Sequence, residues 1–131
     1  STIVYENLDW IEKLVAQHQT NSFAYYRKKN TTCPDFPVLE NWLLASAAKN
    51  MFFKSWFEEL FKAIELTPKV YIQQIKENNE NYQDYFQEIG RLEYLVAYVA
   101  CQKIMRTTLP SMTLINCDRN AFFYQVNNSV L

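Results

Sequence analysis

The sequence predicts a single α+β domain over residues 1–131, dominated by helices and completed by a few short strands. Three observations carry that expectation. Phe53, Trp56, Phe57, Leu60, Phe61 and Ile64 follow alternating steps of three and one, the pattern of one apolar helix face. The runs TIVY (2–5), SFAYY (22–26), MTLI (112–115) and AFFYQV (121–126) are β-branched or aromatic and too short for stable helices, so they fit strands. Glycine is the third. Typical usage would place about nine in a chain of this length, and Gly90 is the only one. Phosphate-cradling loops and tight hairpins that need glycine for positive φ cannot be built from such a chain.

The elements follow in order. Asn7 can cap a helix whose Leu8, Ile11, Leu14, Val15 and His18 share a face. Residues 27–37 are polar and hold two prolines, which suits a surface loop free to move. Residues 38–49 are predicted helical, with Ala45, Ala47 and Ala48 allowing a neighbour close approach. In the helix over 51–66, Lys54, Glu58, Glu59, Lys62 and Glu65 fill the side away from the apolar face. Pro68 suits the first turn of a further helix through Lys76. Residues 77–88 are polar with three aromatics, a loop or a short irregular helix. Residues 91–106 are apolar on two faces, as in a helix buried in a larger body. Residues 116–120 form a turn-rich link between the last two strands.

Composition bounds the function. Hydrophobic residues make up 49%, enough for a core, and the net charge of −1 gives no field that favours nucleic acid. Arg27-Lys28-Lys29, the only basic run, is expected to be a solvated loop, with phosphate contact as the sharper alternative. Cys33, Cys101 and Cys117 match no metal or redox spacing, and reduced thiols in a cytoplasmic protein fit them best. No apolar run is long enough to span a bilayer. The single histidine, His18, has no second histidine with which to share a metal, and is expected to be a packed or helix-terminal residue. No DxD or HExxH occurs.

Glu40-Asn41-Trp42 stands apart, because two hydrogen-bonding side chains open an otherwise apolar segment. One reading makes these ordinary helix-start and core residues: Glu40 aiding the first turn, Asn41 solvated, Trp42 in the core. The functional alternative has Glu40 and Asn41 bonding hydroxyls in a cleft while Trp42 offers its face to a sugar or base.

VLENWLLASAAKNMFFKSWFEEL resembles the segment after the catalytic motif in bacterial capsular polysaccharide synthesis proteins, which are similar to DxD-type GT-A glycosyltransferases. YFQEIGRLEYLVAYVACQKIMR is similar to that family's long C-terminal helix, and TIVYENLDWIEKLV to the segment after its glycine-rich stretch. Met51 stands where the family tends to have proline. The resemblance implies the C-terminal part of a GT-A-type domain, a fragment of a larger enzyme. Its DxD would lie upstream of Ser1, and this chain alone would be inactive. It also implies transfer from a nucleotide sugar to a glycan acceptor, with a divalent cation, Mn or Mg, in the intact enzyme. Asn41 is then the foremost substrate contact, with Glu40 and Trp42 in support. The setting would be cytoplasmic, including peripheral association with the membrane's inner face.

A non-enzymatic helical module is the rival. Its apolar surfaces over 53–64 and 92–105 would dock a partner helix or a second copy, with Trp56 as the anchor.

Overall fold

A computed structural model describes residues 8–119. The strands expected at 2–5 and 121–126, and the cap expected at Asn7, lie outside the described residues. Within them are five helices and a three-stranded mixed sheet, so the α+β, helix-dominated class holds. The order is α1 (Asp9–Gln17), β1 (Ser22–Tyr26), a 3₁₀ turn (Lys28–Asn30), β2 (Leu39–Ser46) and α2 (Met51–Leu66). Then come α3 (Pro68–Asn78), α4 (Gln83–Phe86), α5 (Val96–Thr107), β3 (Thr113–Asn116) and a second 3₁₀ turn (Cys117–Arg119).

β1 is the central strand, antiparallel to β2 and parallel to β3. Its alternation serves two cores at once. Phe23 and Tyr25 pack with Ile11 of α1 and with Cys117, while Ala24 faces Phe52, Phe53 and Trp56 of α2 and Ala100, Cys101 and Met105 of α5. A third cluster, free of sheet residues, joins Ala63, Tyr71, Ile72 and Ile75 to Phe86, Ile89, Val96 and Val99. α5 thus lies between two cores, which accounts for its apolar character on two faces.

Local signals set the helix boundaries. The Asn50 side chain accepts from Phe53 N at 2.9 Å and starts α2. Thr67 ends α2 at φ 74° and opens α3, where Pro68 has no N–H to lose. The polar stretch 77–88 contains the short α4.

Two expectations are corrected. Residues 38–49 are not helical: Leu39–Ser46 form β2, and the alanines at 47 and 48 are exposed beyond the strand. Helix propensity is a weak prior, and here burial on both sides of the strand overrides it. Val38 and Leu39 enter separate cores, while Trp42, Leu43 and Ala45 pack toward α1. The apolar face of α2 is only half used. Phe53 and Trp56 are buried, Leu60 half so, and Phe57, Phe61 and Ile64 are exposed. Phe52 and Ala63, on the other flank, take the covered positions instead. Trp56, the anchor expected for docking, is itself a core residue whose indole N–H donates to Ala97 O at 2.8 Å.

Candidate functional site

The triplet lies in a break of the β1–β2 ladder. Ala24 pairs with Leu44 and Tyr26 with Leu39, so Tyr25 alone opposes residues 40–43. Extra residues in one strand bend it and re-aim its side chains, an arrangement common beside active sites. The three members of the triplet accordingly go three ways.

Glu40 turns inward and is 3% exposed. Its carboxylate accepts from the Tyr98 hydroxyl of α5 and lies 3.7 Å from Arg27 Nη1. Arg27 Nε also meets Asp118 Oδ1 at 2.7 Å, and Lys29 N donates to Asp118 Oδ2 at 3.1 Å. A buried carboxylate is tolerated only when paired and hydrogen-bonded, and this network supplies both. Burial, then the Glu40 carboxylate, pushes the Tyr98 hydroxyl well above the ordinary tyrosine range. Burial followed by the charges of Glu40 and Asp118 pushes the Cys117 thiol up to about 12, so it is an inert thiol rather than a nucleophile.

Trp42 is half-buried and stacks on Tyr25, with ring centroids 5.0 Å apart and planes 17° from parallel. Asn41, between these two anchored neighbours, is exposed. Just beyond the triplet, Leu43, Leu44 and Ala45 form one wall of a depression of about 230 Å³, with Ile11 and Val15 of α1 opposite and Asn21 and Glu12 also lining it. Glu40, Asn41 and Trp42 are therefore adjacent in sequence and divided in space: one seals the interior, one stacks, one faces outward.

The segment leading into the triplet is bonded along its length rather than loose. Gln87 Oε1 accepts from Thr32 N and Cys33 N, both at 2.8 Å, and Gln87 Nε2 donates to Phe36 O at 2.7 Å. Gln102, fully buried, donates to Phe36 O and Pro37 O at 3.1 and 3.0 Å and accepts from Gln87. Asn30 and Glu88 exchange two further bonds. Each satisfies backbone groups that a buried loop would otherwise leave open.

Arg27 and Tyr98, the partners of Glu40, and Asp118, the second partner of Arg27, carry no sequence signal: they sit in a basic run, a helix and a turn. His18 is an exposed residue at the end of α1. Among the described residues no group of three or more His, Cys, Asp or Glu could hold a metal ion. Among them, too, no helix is long and apolar enough to cross a membrane. The chain matches no family model, no curated protein and no solved structure.

Proposed function

We propose that this chain forms the acceptor side of a glycosyltransferase of the capsular polysaccharide type, which moves a sugar from a nucleotide sugar onto a growing glycan. The observation that carries this reading is Asn41, presented to solvent between a locked Glu40 and a stacked Trp42. A carboxamide offers two donors and an acceptor, matching adjacent sugar hydroxyls, which both give and accept hydrogen bonds. Its neighbours hold it without competing for it. Glu40 is committed to Arg27 and Tyr98, so it serves as a support that fixes the backbone beneath Asn41. The Trp42–Tyr25 stack adds a rigid apolar flank of the kind that C–H faces of sugars prefer.

The proposed role is orientation: Asn41 holds the acceptor hydroxyl in line for attack, and misplacement by an ångström costs on the order of 100-fold in rate. Asn41→Ala in the full-length protein is expected to lower transfer at least about tenfold, with the urea midpoint unchanged. Unchanged transfer would sink the reading. Turnover of a nucleotide sugar with Mn²⁺ by the 131-residue chain alone would equally refute a role confined to the acceptor side.

A further inference from the structure

The uncovered side of α2 carries a stripe that the core does not use. Phe57, Phe61 and Ile64 stand on successive turns at i, i+4 and i+7, exposed to 58, 67 and 58%. Contiguous apolar exposure of this kind marks a contact surface. One edge of the stripe borders the core through Phe53 and Leu60, and the other is charged. That charged edge runs Lys54, Glu58, Lys62, Glu65, and all four residues are exposed.

The order of those charges has a symmetry. Reversing the helix direction exchanges Lys54 with Glu65 and Glu58 with Lys62, so every position meets its opposite sign. A parallel copy would instead carry the two charged edges to opposite flanks of the contact, where they do not meet. The alternating signs also cancel, so the edge gives no attraction to an anionic lipid surface.

We propose that a second copy of this chain docks here, its α2 antiparallel to the first about a two-fold axis crossing the helix near Leu60. In that register Phe57 packs against the partner subunit's Phe61. Lys54 meets the partner subunit's Glu65, and Glu58 meets the partner subunit's Lys62. Such a contact is isologous and closes at the dimer. Lys54 already lies 3.7 Å from Glu58 in its own helix, so in the dimer it sits between two carboxylates. With 16 residues, α2 is about 24 Å long, so the contact is a small one, of the size class of weak and transient associations. This inference stands independently of the sugar-handling role.

Sedimentation equilibrium of the full-length protein from about 1 to 100 μM tests it. A monomer–dimer equilibrium is expected, weakened at least about tenfold by Phe61→Ser. Because these positions are exposed, circular dichroism should show the variants folded. Lys54→Glu and Glu65→Lys should each weaken the dimer, and the double variant should return it to within about threefold of the parent. A protein monomeric throughout the range, or a dimer indifferent to Phe61→Ser, overturns the proposal. So does a double reversal that fails to restore association.

Discussion

Two clusters in this molecule are built from the same three parts, a carboxylate, a cation and a tyrosine, and differ in what they hold together. Glu40 with Arg27 and Tyr98 ties the broken end of the β1–β2 ladder to α5, and through Asp118 to the turn after β3. Glu59 with Lys103 and Tyr71 ties α2, α5 and α3. The side chain of Glu40 is 4% exposed and its cation is an arginine bridging two carboxylates; that of Glu59 is 12% exposed and its lysine 39%. Nearly complete burial makes the first cluster obligatory, since losing one member strands a charge in low dielectric. Water can replace a lost partner in the second. The same chemistry is a structural requirement in one place and an accessory in the other.

The sharpest way to break that comparison is Arg27→Met, which strands both Glu40 and Asp118. Chemical denaturation should show a loss of about 3–5 kcal/mol, whereas Lys103→Met should cost about 1 kcal/mol or less. Equal losses would mean that burial does not separate the clusters. Next in size, Tyr98→Phe removes a donor from a buried carboxylate and should cost about 1–3 kcal/mol. Tyr71→Phe should cost less, because Glu59 keeps Lys103 at 2.9 Å.

The pH dependence separates the clusters further. At the Glu59 site, burial works to raise the carboxyl, but hydrogen bonds from Lys103 and Tyr71 and the lysine charge outweigh it, leaving the carboxyl below the ordinary glutamate range. A depressed folded value stabilises above the unfolded value and is lost as pH falls through the folded one. The deficit of Lys103→Met relative to the parent should therefore be full near neutrality and shrink as pH falls through the glutamate range, where the parent's own carboxylate becomes protonated.

The Glu40 site acts at the other end of the scale. Cys117 is raised to about 12 by burial, then by Glu40 and Asp118, and Tyr98 is raised as well. The raised groups stabilise fully below their unfolded values, near 9 for cysteine, and that stability is lost as pH rises. Cys117→Ala should flatten the alkaline side of the stability profile between about pH 9 and 12. If the alkaline limb keeps its slope, the thiol is not held protonated by its neighbours.

How much of this was legible depended on whether a feature is local. α2 carries its own start signal in Asn50 and its own stop in Thr67-Pro68, and the expected span 51–66 matches its bounds. SFAYY is a strand because its residues fit a central position buried on both faces. The segment 38–49 misled because alanines suggested a helix while the deciding contacts came from β1, α1 and α5. Glu40-Asn41-Trp42 stood out as a polar interruption, but only the ladder break reveals that its members separate. The partners of Glu40, Arg27 and Tyr98, and the Asp118 that Arg27 also binds are too scattered to recognise from spacing.

The sequence by itself determined the helix-dominated α+β class, α2 and its caps, and the lack of glycine-built loops, because these depend on neighbours within a few residues. Tertiary structure decided that 39–46 is a strand, that Glu40 is sealed inside while Asn41 faces out, and that half of the apolar face of α2 stays bare. Those outcomes rest on contacts between distant segments, whose free energies outweigh the small propensities that a local pattern expresses.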